Sequence, residues 1–247
     1  MNYIYEITLI GFLAGIIGTG SGGLISLILK KPKNELLSFF LGFAGGIMLA
    51  IVFSDLLPEA VEFGGIIPAV LGLVIGTLLI LMLDLYLPHT HFFQGTDEYA
   101  CYVRTGAMLG LGIAMHNLPE GMAIGAGYMA SPSLGLGLAI TIAIHNIPEG
   151  MAMAAPMCAG GVSIKKILFY TGMAGLPMGV GAFIGASISN ISPIVLSVAL
   201  GFAGGAMLYI VFDELIPDAQ KLAKGHSGTF GAVFGAIFGT VILYFLH

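Results

Sequence analysis

The sequence predicts an all-α membrane protein of eight transmembrane helices in a 3+2+3 arrangement, with an inverted repeat relating spans 1–3 to spans 6–8. Three observations predict it. Of 247 residues, 57% are hydrophobic and only 9% charged, where a soluble domain carries about 25% charged residues. The mean hydropathy is +1.02. The apolar residues fall in runs long enough to cross a bilayer, and two pairs of those runs repeat each other in sequence.

Apolar runs of about 20 residues occur at Tyr3 to Leu29, Leu36 to Leu57, Gly65 to Leu87, Val103 to Met129, Ser133 to Met157, Ile164 to Ser189, Pro193 to Ile216 and Thr229 to Leu246. The connectors between them are short, so residues 1–247 read as a single transmembrane domain with no separate soluble part. The first run has Glu6 and no Lys or Arg before it. It lacks the basic lead of a secretory signal and is expected to stay in the mature protein.

Charge fixes the expected orientation. Lys30, Lys31 and Lys33 follow span 1, Arg104 opens span 4, Lys165 and Lys166 open span 6, and Lys221 and Lys224 follow span 7. With eight spans every basic residue lies on one side. The positive-inside rule makes that side cytoplasmic and places both termini outside a cell (inner) membrane. These scattered basic residues and the net charge of −5 give no footprint for nucleic acid. Cys101 and Cys158 are too far apart to suggest a disulfide framework and have no metal-ligand spacing.

The first repeat pairs Gly42 to Ala60 (GFAGGIMLAIVFSDLLPEA) with Gly201 to Ala219 (GFAGGAMLYIVFDELIPDA). Small residues alone would explain the glycines as a helix-packing face. They do not explain the acidic pair and proline at the far end of both copies. These are spans 2 and 7, five apart, so they cross in opposite directions, as in transporters built from inverted repeats.

The second repeat carries the chemistry. Span 4 holds MHNLPEGMA and span 5 holds IHNIPEGMA, each motif beginning about a dozen residues into its span, or roughly 18 Å at 1.5 Å per residue. Both motifs therefore meet near the bilayer midplane. A charged side chain there costs about 2.5–3.5 kcal/mol, and a bound dication would offset that cost. His116 and Glu120 share a helix face, as do His145 and Glu149. Asn117 and Asn146 stand one step round the helix, able to ligate or to orient. Pro119 and Pro148 remove hydrogen bonds to the carbonyls of Met115 and Ile144, and Gly121 and Gly150 permit close helix approach. Imidazole and carboxylate suit zinc, ferrous iron, manganese or cobalt, and no thiolate stands in the motifs to favour copper(I). A zinc peptidase would need H-E-x-x-H, and a di-iron carboxylate bundle uses Glu-x-x-His. Neither order is present, so an intramembrane metalloenzyme is the weaker alternative and no catalytic residue is assigned.

The paired HNLPEG and HNIPEG, with GFAGGAMLYIVFDELIP as a third element, resemble the prokaryotic branch of the ZIP (Zrt- and Irt-like) family of metal transporters. The resemblance covers nearly the whole chain. It implies a single transporter domain that moves zinc, or related Fe2+, Mn2+, Co2+ or Cd2+, into the cytoplasm as substrate rather than cofactor. It implies a transport site of His116, Asn117, Glu120, His145, Asn146 and Glu149, with the two glutamates able to bridge two metals. Family members often carry a glutamate in a G-L-P-E-P-type stretch of span 6. Here Gly175-Leu176-Pro177 is followed by Met178, so a full second site is not expected.

Five further acidic residues are expected to mark a route. Asp55 and Glu59 stand at the outer end of span 2, and Asp213, Glu214 and Asp218 at the inner end of span 7. Asp55 is expected as the entry, Asp213 and Glu214 as the exit. The third connector, with His89 and His91, resembles a short His-rich loop and is a candidate for metal relay. The expected partners are the divalent ion and the bilayer, with oligomeric state, a homodimer included, left open.

Overall fold

A computed structural model describes residues 2–29, 33–86 and 98–246. The described residues form helices and short connectors. In chain order the helices are α1 (Asn2–Leu29), α2 (Asn34–Ile51), α3 (Leu57–Gly64), α4 (Ile66–Tyr86), α5 (Glu98–Ala130), α6 (Pro132–Ala159), α7 (Ile164–Gly175), α8 (Pro177–Ser189), α9 (Pro193–Ile210), α10 (Ile216–Leu222) and α11 (Ser227–Leu246). Seven helical segments among these residues are long and apolar enough to cross a membrane. The remaining long helix, α5, has 33 residues and spans about 50 Å at 1.5 Å per residue. The chain is an integral membrane protein.

Two rods run longer than their apolar residues predict. Span 2 continues through α2 and α3 to Gly64 without leaving the helix, and span 7 continues through α9 and α10 to Leu222. Both contain one π-helical turn, Val52–Leu56 and Val211–Leu215. In each, the amide of the following residue reaches five residues back, Leu57 to the Val52 carbonyl and Ile216 to the Val211 carbonyl. Pro58 and Pro217 lie just beyond these turns and cannot donate to the carbonyls four residues earlier. A π-turn accommodates that lost bond and inserts one residue into the helical phase. The result re-aims the acidic pair of each rod.

Pro119 and Pro148 do not break their helices, since α5 and α6 run continuously past them. The interrupted span is the sixth, where α7 ends at Gly175 and Pro177 starts α8.

One exchange with two offsets organises the packing: residue i corresponds to residue i+159 in the outer helices and to i+29 in the central pair. Ser38 donates to the Ala219 carbonyl at 2.6 Å, and its counterpart Ser197 donates to the Ala60 carbonyl, counterpart of Ala219, also at 2.6 Å. Gly42 lies against the Gly228 carbonyl as Gly201 lies against that of Ala69. The central pair obeys it too: Gly121 packs on the Met178 carbonyl and Gly150 on the Thr19 carbonyl. Helix pairing follows the same exchange, with α1 on α6 matched by α8 on α5, and α2 on α11 matched by α9 on α4. The repeat visible in spans 2 and 7 thus extends to the helices around them, whose sequences had diverged.

Candidate metal centre

Each H-N-x-P-E-G motif lies mid-helix, where the 3.6-residue period puts His and Glu on one face and Asn beside them. The motif glycines set the depth, because an added Cβ at Gly121 or Gly150 would run into a backbone carbonyl of α8 or α1. This close approach buries the polar residues that precede them. Asn117, Glu120, His145 and Asn146 are fully inaccessible, Glu149 is 1% exposed and His116 is 5% exposed.

Glu120, His145 and Glu149 converge, each offering a ligand atom within 4.8 Å of the others'. Nε2 of His145 lies 2.9 Å from Glu120 Oε1. The other Glu120 oxygen and both Glu149 oxygens make no hydrogen bond among the described residues. A buried acceptor left unsatisfied costs about 1–3 kcal/mol, and more if charged. Three such oxygens beside an imidazole form a donor set that a divalent cation satisfies, and zinc accepts both atom types at about 2.0–2.2 Å.

His116 is held apart from that trio. Its Nε2 lies 3.0 Å from Glu214 Oε1, on the second π-turn. The asparagines form a short directed chain: Asn146 Nδ2 donates to Asn117 Oδ1 at 2.8 Å, and Asn117 Nδ2 donates to the Ala174 carbonyl at 2.9 Å. Ala174 sits just before the break in span 6.

The chain belongs to the ZIP zinc transporter family. The family model described as ZIP Zinc transporter matches residues 90–247. The zinc transporter ZupT of Escherichia fergusonii is 38% identical over 231 residues, covering 90% of this chain and 89% of the relative. Those of Salmonella heidelberg strain SL476 and Salmonella newport strain SL254 are each 37% identical over the same shares. The similarity of this ZIP chain to these relatives thus spans about nine-tenths of each chain.

The other residues singled out in this ZIP sequence are distributed as follows. Asp55 is buried on the first π-turn and Glu59 is half-buried in the first turn of α3. Asp213 is exposed, while Glu214 is partly exposed and reaches His116. Asp218 pairs with Lys221 at 3.0 Å at the surface. Met178 is fully buried in the first turn of α8, its carbonyl against Gly121. His89 and His91 lie outside the described residues.

Sequence reasoning missed Thr19, whose buried hydroxyl has no hydrogen bond among the described residues. As the repeat counterpart of Met178 it was findable from the 159-residue offset. It also missed Asp84, which accepts from the Tyr209 hydroxyl at 3.0 Å. No motif marks that pair.

Proposed function

We propose that this chain transports a divalent transition metal, zinc foremost, into the cytoplasm through a site of His116, Asn117, Glu120, His145, Asn146 and Glu149. The observation that carries the reading is the buried trio of Glu120, His145 and Glu149, with three carboxylate oxygens that have no hydrogen bond among the described residues. The relatives named as zinc transporters support zinc over the Fe2+, Mn2+, Co2+ and Cd2+ that the same ligand types accept. Residues 1–247 act as one transporter domain in a 3+2+3 topology, with both termini outside the cytoplasm. Flux of a panel of these metals into proteoliposomes tests the assignment. Zinc transport slower than that of every other metal would reassign the substrate.

Asp55 is only 4% exposed whereas the Glu214 side chain is 34% exposed and its neighbour Asp213 is open. This difference supports a state open at the Glu214 end and closed at the Asp55 end, consistent with alternating access around a fixed central site.

Two expected results follow from the donor set. Imidazole ligates only when neutral, and its ordinary pKa is about 6.5, so protons compete with metal on the acid side. Metal affinity should fall as pH is lowered from 7 to 5, by up to about tenfold per pH unit for each histidine that must lose a proton. Affinity that rises over that interval in equilibrium titrations would remove histidine from the ligand set.

Met178 stands where family resemblance leads one to expect a carboxylate. Two dications bridged by Glu120 and Glu149 alone would repel each other strongly in a low-dielectric setting, so one well-bound metal is expected. Met178→Glu should raise the metal bound per protein, read by titration or anomalous diffraction. Two equally occupied sites in the unaltered protein would overturn this account.

A further inference from the structure

The hydrogen bonds at the centre break the symmetry that the backbone obeys. Under the exchange of i with i+159 and i with i+29, Glu214 corresponds to Asp55, His116 to His145, Glu120 to Glu149, and Ala174 to Gly15. Applied to the observed bonds, the exchange generates a second set: His145 to Asp55, His116 to Glu149, Asn117 to Asn146 Oδ1, and Asn146 to the Gly15 carbonyl. Within the central pair, the acceptors this second set requires are Asn146 Oδ1 and the Glu149 carboxylate. Those atoms have no hydrogen bond among the described residues here. Gly15 and Gly175 meet in close backbone contact where α1 crosses the break in span 6. Ala174 is the residue before Gly175, so the two competing carbonyls lie at that crossing.

We propose that the transported ion keeps Glu120 and Glu149 as ligands in both access states and exchanges its histidine, His145 in the state described here and His116 in the opposite one. This rests on the reading of those four residues as the transport site. Glu214 and Asp55 are positioning residues. Glu214 holds His116 off the ion while the Glu214 end is open, and Asp55 holds His145 off it while the Asp55 end is open. The trio now assembled, Glu120, His145 and Glu149, has as its image Glu149, His116 and Glu120, so the carboxylates are common and only the imidazole differs. The amide chain reverses with it, tying the central pair to α7 in one state and to α1 in the other. The two sets of histidine contacts are alternatives, because the Nε2 of each histidine serves one carboxylate at a time. The site is thereby a two-state element whose balance both ends of the pathway bias.

The test separates equilibrium binding from flux in purified, reconstituted protein with Zn2+ as the probe. Both His116→Ala and His145→Ala should abolish saturable flux. His145→Ala should weaken equilibrium Zn2+ binding at least about tenfold more than His116→Ala does, because only His145 is a ligand in the resting state. Equal weakening by both variants would mean simultaneous coordination and would overturn the exchange, while leaving the site itself intact. Wild-type binding and flux in both would overturn the site. A second measurement stands even where a histidine variant misfolds. Glu214→Ala should lower the half-saturating Zn2+ concentration presented from the Asp55 side by about three- to tenfold, since it destabilises the competing state. Asp55→Ala should raise it. Glu214→Gln and Asp55→Asn should shift it in the same directions by less. A carboxylate that merely attracted the ion at its own mouth would leave the Asp55-side value unchanged in Glu214→Ala, and that result would sink the positioning role.

Discussion

Replacing Glu120 or His145 by alanine is expected to abolish saturable metal flux while leaving folded protein in the membrane. Both side chains are inaccessible to solvent, and they contact each other at 2.9 Å across the α5–α6 interface. Each variant removes one member of the assembled trio and leaves its neighbours with fewer partners. Losing one ligand from a three- or four-ligand site costs affinity by orders of magnitude, because the remaining donors cannot complete the coordination shell of a small dication. Stability should change less, since removing a buried carboxylate or imidazole also removes a desolvation cost. Proteoliposome flux, with the folded fraction measured by size-exclusion chromatography, checks both parts. Saturable flux at the wild-type level in either folded variant would falsify the assignment of the site.

The second large effect concerns the motif glycines. Gly121→Ala would drive a methyl group into the Met178 carbonyl and Gly150→Ala would drive one into that of Thr19. In both cases the obstacle is backbone, which cannot turn aside as a side chain would. The helices must separate, and overpacking of this kind costs about 1–3 kcal/mol, occasionally more. Separation also moves His116, Glu120, His145 and Glu149, so flux should fall further than stability. Gly20→Ala serves as the control, because nothing lies within 4 Å of a Cβ added there. Thermal unfolding in detergent should show both motif variants melting well below Gly20→Ala. Coincident melting curves for all three would show that the close crossings are not required.

Much of this was legible in the sequence because the relevant signals are periodic or repeated. Apolar runs located the membrane helices, and the twice-written H-N-x-P-E-G placed ionisable groups on facing helices. The GFAGG copies announced a duplicated unit. What escaped notice is a matter of backbone phase. The π-turns at Val52–Leu56 and Val211–Leu215 leave hydropathy untouched, yet each shifts its rod by one residue. Counting along a regular α-helix could not bring Glu214 to His116. The extension of spans 2 and 7 escaped for a related reason, since LPEAVEFG and IPDAQKL lose apolarity while remaining helical. Proline acts differently in the three places: Pro119 and Pro148 leave α5 and α6 continuous, whereas Leu176-Pro177 interrupts span 6. Sequence names the residue that lacks an amide proton, but surrounding packing decides whether the helix gives way.

The least enclosed helices of the bundle are α4 and α11, which correspond to each other under the 159-residue relation and brace α9 and α2 respectively. They have 21 and 20 residues, so their lengths are near 30 Å at 1.5 Å per residue. That equals the hydrocarbon thickness of a typical bilayer. The two most open braces therefore carry none of the proposed ligands, whose side chains are buried between other helices. Mismatch between hydrocarbon thickness and helix length is relieved by tilt, and two braces of equal length meet that demand alike, one packed on each of the helices that lead into the π-turns.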